Sequence, residues 1–307
     1  MKDYVLRTNG ISKRYKKQLA LDDVSISIKR GSIYGFIGQN GAGKSTLIKL
    51  ITGLAYPTQG SLELFGSRSK NEFIEARKRI GSIIEGPALY PHMTARENLE
   101  AFRILKGIPG NDCVDKTLKL VGLEETGKKT AKNFSLGMKQ RLGIAIALLS
   151  NPEFLILDEP INGLDPMGVV EVRDLLLKLN KEQGISIMIS SHILSELHLL
   201  ATHFGFIHKG RLIEETTAKE LEIKCRHYLH IKTDNPNQAA AILEQELSTT
   251  DYHVMADGII HLYKYMDQPG LVSTALASNG AVIEQLMPMG ENLESYFTAL
   301  IGGTNHE

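Results

Sequence analysis

The segment Gly38-Gln39-Asn40-Gly41-Ala42-Gly43-Lys44-Ser45-Thr46 satisfies the spacing G-x-x-x-x-G-K-[ST] at every fixed position. That composition suits a polyphosphate. Its glycines let the backbone wrap close to an anion with several N–H groups turned inward, and Lys44 is long enough to reach the terminal phosphates. Ser45 supplies a hydroxyl for Mg²⁺, and Gly38, Asn40, Gly41, Gly43 and Thr46 complete the candidate binding set. Roughly 110 residues later, Phe154-Leu155-Ile156-Leu157-Asp158-Glu159 is an apolar run ending in two adjacent carboxylates. Beside such a loop, Asp158 can hold the Mg²⁺ shell while Glu159 orients and polarises an attacking water. A glycine-rich turn and a solvated acidic pair are the plainer readings, and the occurrence of both features in one chain disfavours them.

Placing these groups together requires particular elements. Ile33-Tyr34-Gly35-Phe36-Ile37, just before the loop, reads as a strand buried on both faces, and Ser45 to Ile51 carries apolar residues at helical spacing until Gly53. Alternation at Tyr4-Val5-Leu6 and across Val24-Ser25-Ile26-Ser27-Ile28 predicts two half-buried strands upstream. Arg79 to Ile84, Phe154 to Leu157 and Ile185 to Ile189 are further strands, the last two separated by a helix over Val169 to Leu179. This alternation implies parallel strands joined by crossover helices. Pro87 to Ser150 is mostly helical, with Leu99, Phe102 and Leu105 on one face and a nearly continuous apolar segment from Leu142 to Leu149.

After a hairpin at Lys209-Gly210 the pattern changes to a strand at Tyr228 to Lys232, a helix at Gln238 to Leu247 and two strands about Asp257-Gly258. A helix at Leu271 to Ala277, a strand at Val282 to Leu286 and a helix from Asn292 to Ile301 complete the series. The order βαββαβ is that of a ferredoxin-like domain. The expected division is therefore residues 1–215, with a helical subdomain at about 87–150, and an accessory α+β domain at 216–307.

Further motifs follow in a recognisable order. Asn133-Phe134-Ser135-Leu136-Gly137-Met138-Lys139-Gln140-Arg141 is similar to the signature Leu-Ser-Gly-Gly-Gln followed by Gln-Arg, with Leu136 and Met138 as departures. Asn162-Gly163-Leu164-Asp165-Pro166 is similar to a loop that crosses a dimer interface, and Ser190-Ser191-His192 ends a strand in the position of a switch histidine. Over about residues 1 to 215 the chain resembles the ATP-binding subunit of an ABC transporter. Glu85 in place of the usual glutamine, the degenerate signature and an extension of about 90 residues resemble the branch serving bacitracin-type and lantibiotic-type export.

The resemblance implies an α/β P-loop NTPase core with a mixed sheet and a helical subdomain, binding ATP and Mg²⁺. Its catalytic set is Glu159, His192 and Lys44, and its metal set is Ser45, Asp158 and Glu85. Tyr15 matches the aromatic that stacks on adenine, Ser135 and Gly137 match groups that bind the γ-phosphate held by an opposite subunit, and Asp165 matches the acid of the interface loop. An ionised Glu85 accepts hydrogen bonds but cannot donate them, unlike glutamine. The implied partners are an integral-membrane permease and a second ATP-binding subunit, identical or related. The implied location is cytoplasmic, on the inner face of the cell membrane through the permease, and the implied cargo is a peptide antibiotic or similar amphiphile.

Composition narrows the alternatives. With 35 Lys+Arg against 35 Asp+Glu in 307 residues, no broad electrostatic capture of nucleic acid is expected. The longest stretch without Asp, Glu, Lys or Arg is Gln268 to Ile283, 16 residues interrupted by Pro269, Gly270 and Gly280, too short for a membrane-spanning helix. Met1-Lys2-Asp3-Tyr4 lacks the apolar core of a secretory signal, and Cys113 and Cys225 suit neither a disulfide framework nor a zinc site. A soluble switch acting on ribosomes or DNA without a permease shares every ATP-site residue. Against it stand the single nucleotide-binding unit and the lack of a coiled-coil insert or basic patch.

Overall fold

The computed structural model describes residues 3–290 and 293–303, so Met1, Lys2, Glu291, Asn292 and the residues after 303 lie outside the described residues. In chain order the first part contains β1 (Tyr4–Tyr15), β2 (Gln18–Val24), β3 (Ser27–Lys29), β4 (Ile33–Ile37), α1 (Lys44–Thr52), β5 (Gln59–Leu64), α2 (Lys70–Lys78) and β6 (Ile80–Ile83). There follow α3 (Ala95–Leu105), α4 (Asp112–Leu120), α5 (Leu136–Leu148), β7 (Phe154–Asp158), α6 (Pro166–Gln183), β8 (Ser186–Ser191), α7 (Leu194–His198), β9 (His203–His208) and β10 (Arg211–Thr217). The chain divides into one unit ending at Ala218 and a second beginning at Lys219, and α8 (Ala218–Lys224) starts at that boundary.

The first unit is built on a six-stranded sheet in the order β10-β9-β4-β8-β7-β6. Its strands run parallel except for β10, which forms the expected hairpin with β9. Every residue of β4, β7 and β8 is buried, as near-continuous apolar runs in a parallel sheet covered on both faces require. The register pairs Asp158 with Ser190 and Ile37 with Ser191, so the phosphate loop and the acidic pair leave the sheet at the same carboxyl edge. Parallel α/β sheets bind ligands along that edge.

A second, antiparallel sheet is organised by β1, which pairs with β2, β3 and β5. Here the sequence reading needs correction. Val24 to Ile28 is not one strand: β2 ends at Val24 and β3 begins at Ser27. Side-chain hydroxyls replace ladder bonds across the break, with Thr8 Oγ1 donating to Val24 O at 3.0 Å and accepting from Ile26 N at 2.9 Å, while Gly10 N donates to Ser25 Oγ at 2.9 Å. The strand at Tyr4 also continues to Tyr15, which carries that tyrosine to the cleft described below. β5 and α2 were not anticipated.

The helical segment is α3, α4 and α5. Buried Asn98 on α3 ties down the preceding loop, accepting from Tyr90 N at 2.7 Å and donating to the carbonyls of Tyr90, Met93 and Thr94. Thr94 and Glu97 form a capping box that starts α3 where the loop ends.

The second unit contains β11 (Tyr228–Thr233), α9 (Pro236–Glu246), β12 (Tyr252–Val254), β13 (Ile260–Leu262), α10 (Pro269–Ser278), β14 (Ile283–Met289) and α11 (Leu293–Gly303). Its sheet has the order β12-β13-β11-β14 with all pairs antiparallel, the split βαβ topology of a ferredoxin-like fold. Leu229, Ile231, Ile260 and Leu262 face Ile242, Leu243, Val272 and Leu276 from α9 and α10, which accounts for the alternating burial along β11.

Candidate active site

The phosphate loop follows β4 and turns into α1 at Gly43, whose φ of 114° lies in the left-handed region. A Cβ there would also sit 2.7 Å from Ala20 O, so glycine is required on both grounds. Lys44 is buried, 5% exposed, and its ammonium lies 2.6 Å from Gly38 O, 3.3 Å from Gln39 O and 3.1 Å from Glu159 Oε1. A buried cation held by carbonyls and one carboxylate is ready to exchange those partners for a more negative ligand.

Glu159 stands at φ 50°, just past the end of β7, and its N–H donates to Ser190 Oγ at 3.0 Å and Ser190 O at 3.2 Å. A non-glycine residue held in that region costs of order 1–3 kcal/mol and persists only where its surroundings over-determine it. Its other carboxylate oxygen, Oε2, lies 2.8 Å from His192 Nδ1, which donates because a carboxylate can only accept. The structure therefore brings Lys44, Glu159 and His192 into one chain of contacts.

Asp158 is buried at the end of β7, with Oδ1 accepting from Ser190 Oγ at 2.5 Å. Its second oxygen and the Ser45 hydroxyl are hard oxygen donors, the chemistry Mg²⁺ selects, and the two would hold that ion. Glu85 has a different setting. It is 67% exposed and bonded to Lys49 Nζ at 2.6 Å, and that hydrogen bond holds its carboxyl below the usual glutamate range.

A cleft of about 550 Å³ is lined by Asn40, Gly41, Gly43, Lys44, Ser45 and Thr46, by Glu159 and by Tyr15, while Asp158, His192 and Glu85 do not line it. Tyr15 is 44% exposed, with Lys13 Nζ 4.8 Å from its ring centroid, so an aromatic face is available at the rim. Gln18, Leu19, Lys209 and Gly210 also line the cleft and were missed in the sequence. The β9–β10 turn that delivers Lys209 is far away in the chain.

Ser135, Gly137 and Asp165 do not line this cleft. They assemble elsewhere, at two adjoining helix N-termini. Ser135 caps α5 by accepting from Met138 N at 3.2 Å, and Asp165 caps α6 by accepting from Gly168 N at 3.1 Å. A Cβ on Gly137 would lie 3.6 Å from Gly168 Cα. Leu136 and Met167 beside them are 48% and 68% exposed, an apolar pair next to two helix N-termini. The sequence reading also missed Ser190, which holds both Asp158 and Glu159, and Glu196, whose carboxyl is pushed up by burial and which interacts with His192 and Glu159. The Ser190 signal was present in Ser190-Ser191-His192, but only strand register reveals the contact.

The ABC transporter family model matches residues 21–162. Over 299 residues the chain is 45% identical to the bacitracin transport ATP-binding protein BcrA of Bacillus licheniformis, covering 97% of this chain and 98% of that protein. The chain belongs to the ABC transporter ATP-binding family. It is also 44% identical over 211 residues to the lantibiotic transport ATP-binding protein SrtF of Streptococcus pyogenes, covering 69% of this chain and 90% of that protein. Among solved structures, the ATP-binding cassette MJ0796, a post-hydrolysis dimer bound to ADP and Pi, is similar with a TM-score of 0.63 and 27% identity, covering 69% of this chain and 98% of that one. CbiO1 of Clostridium perfringens, part of the cbiONQ complex, has a TM-score of 0.66 and 31% identity, covering 72% and 92%. This ABC ATPase thus belongs to the bacitracin and lantibiotic branch, and a permease-free switch is not favoured. Among the described residues, no helix is long and apolar enough to cross a membrane.

Proposed function

We propose that this ABC ATPase dimerises on ATP and powers a separate integral-membrane permease that exports a peptide antibiotic or similar amphiphile. Supporting the reading is one observation above the others: similarity to a bacitracin transport ATP-binding protein extends over 97% of the chain, the accessory unit included. The phosphate loop and the Lys44–Glu159–His192 chain of contacts supply the engine. The second subunit is identical or related, and the pair works against the inner face of the cell membrane.

In this mechanism Tyr15 stacks on adenine, and the backbone N–H groups of residues 40–46 cradle the phosphates. The terminal phosphates take Lys44 from the Gly38 carbonyl and from Glu159, which frees that carboxylate. Glu159 then orients a water and accepts its proton, while His192, already 2.8 Å from Glu159, keeps the carboxylate directed. Ser45 and Asp158 would hold Mg²⁺, which supplies neutralisation of phosphate charge when bound. The capped N-termini at Ser135 and Leu136 present backbone N–H groups to the γ-phosphate of the other subunit, and Asp165 with exposed Met167 borders that interface. Glu85 reports nucleotide state toward the permease, because its carboxylate is held by a solvent-exposed pair with Lys49 on α1, the helix that begins at the phosphate loop.

Purification of the tagged protein from native membranes tests the assignment. The expected result is co-purification of a polytopic membrane protein, and greater sensitivity to bacitracin-type or lantibiotic peptides in cells carrying Glu159→Gln. Salt-sensitive recovery on ribosomes or DNA, with unchanged peptide sensitivity, would overturn it.

A further inference from the structure

One face of the second unit's sheet is packed against α9 and α10, and the other carries an unusual row of side chains. His261 on β13 stands directly opposite His253 on β12 and directly opposite His230 on β11, and His230 is paired in turn with Met287 on β14. Because alternate residues of a strand share a face, the four lie across all four strands on the side away from the helices. Leu229, Ile231, Ile260 and Leu262 fill the opposite side. None of the three imidazoles hydrogen-bonds through its ring to another group among the described residues. Six ring nitrogens thus stand unengaged in one row.

The pair His230 and His261 has its ring centroids 6.0 Å apart. Two imidazoles sharing one metal at nitrogen distances of about 2.0–2.1 Å place their centroids roughly 4.5–6.5 Å apart, depending on the angle at the metal. Tyr228 stacks on His261 at 3.8 Å between centroids and 17° between planes, which fixes the orientation of that ring while leaving its edge nitrogens open. Burial, then the neighbouring His230, holds the His261 imidazole below its ordinary range, with His253 adding to the effect and Asp257 opposing it. Neutral imidazole is the form that ligates.

The surrounding charge is also suitable. Residues 219–307 carry five Lys+Arg against twelve Asp+Glu, a field that attracts cations and disfavours nucleic acid. Two cations of this unit are already paired, Lys232 with Glu284 at 2.7 Å and Arg226 with Asp251 at 2.8 Å.

We infer that His230 and His261 form a cross-strand binding site for a borderline divalent transition cation such as Zn²⁺ or Ni²⁺, with His253 as a flanking ligand. Imidazole donors suit these ions over Mg²⁺ or Ca²⁺. Among the described residues no three His, Cys, Asp or Glu side chains already converge on one point, so the two central histidines provide the first contacts and His253 joins by rotation about its side-chain torsions. Water completes the shell. Such a cation would pin β11 to β13 at the centre of the accessory sheet, separate from the Mg²⁺-type donors at Ser45 and Asp158.

Calorimetric titration of the full-length, nucleotide-free protein with ZnCl₂, repeated with NiCl₂, tests the site. Wild type should bind one equivalent at pH 7.5, and lowering the pH to 5.5 should weaken binding, because protons compete with the cation for the ligating nitrogens. His230→Asn and His261→Asn should each weaken binding by at least about tenfold, with far-UV circular dichroism unchanged. His92→Asn and His192→Asn should bind as wild type. Wild-type affinity in a folded His230→Asn or His261→Asn protein, or loss of binding in His192→Asn alone, would overturn the assignment. The two variants lie on different strands, so either one that folds decides the question.

Discussion

At the scale of single residues, the site is a set of exchangeable partners around Glu159. Lys44 and His192 hold its two oxygens at 3.1 and 2.8 Å, and Ser190 holds its backbone. Lys44→Ala should therefore weaken nucleotide binding itself, by at least about tenfold in an equilibrium assay with a fluorescent ATP analogue, since a charge-assisted contact to phosphate is lost. Glu85→Gln should behave differently. It removes an exposed carboxylate whose partner is Lys49, so ATPase turnover should stay within about tenfold of wild type, while coupling to the permease changes. A phosphate-release assay decides this, and a loss as deep as that of a Glu159 variant would return Glu85 to the catalytic centre. The phosphate loop and the acidic pair were legible in the sequence because their chemistry depends on neighbours within a few positions. Ser190, Lys209 and Lys49 were not, because each meets its partner only through strand pairing or across a helix.

At the scale of elements, the carboxyl edge of β4, β7 and β8 positions the chemistry, and Glu153, just ahead of β7, ties together the entries to β4, β6 and β7. Its carboxylate bonds Arg79 at 2.6 and 2.8 Å and Arg30 at 2.5 Å, ahead of β6 and β4 respectively. The Arg79 hydrogen bonds, with Arg30 contributing, lower its pKa from 4.5 to about 2. A depressed carboxylate gives stability that is fully present above its unfolded value and lost as pH falls through its folded value. The extra stability should thus vanish between about 4.5 and 2. Thermal unfolding of wild type and Glu153→Gln across that range checks it: the gap in midpoint seen at neutral pH should close on acidification, and a constant gap would show that the pairing does not carry it. Strands that are buried on both faces, such as Ile33–Ile37 and Phe154–Asp158, were readable as apolar runs. The Val24–Ile28 alternation misled because hydroxyls of Thr8 and Ser25 substitute for ladder bonds, a contact 16 or so residues away in the chain. β5 and α2 escaped because their burial comes from β1 and the core beneath, with little periodicity of their own.

At the scale of the molecule, every residue lining the nucleotide cleft lies at or before Gly210, and the second unit begins at Lys219. A chain ended at Ala218 should therefore still bind ATP, with assembly or regulation altered; a folded, soluble truncation that no longer binds nucleotide would contradict that separation. The signature at Ser135 and the loop at Asp165 stand outside the cleft of their own chain, which is consistent with the proposed dimer, in which a second copy or a relative would supply them across an interface. Replacing Glu159 by glutamine keeps the shape of the side chain and removes its charge and basicity, which should lower turnover by about 10²–10⁴-fold while leaving ATP bound. The most direct measurement is size-exclusion chromatography of Glu159→Gln with ATP and Mg²⁺, run beside phosphate release. A stable ATP-dependent dimer with turnover reduced to that extent is the predicted result. Near-wild-type turnover would remove Glu159 from the reaction, and abolished turnover with no dimer at any ATP concentration would contradict a nucleotide shared between two chains.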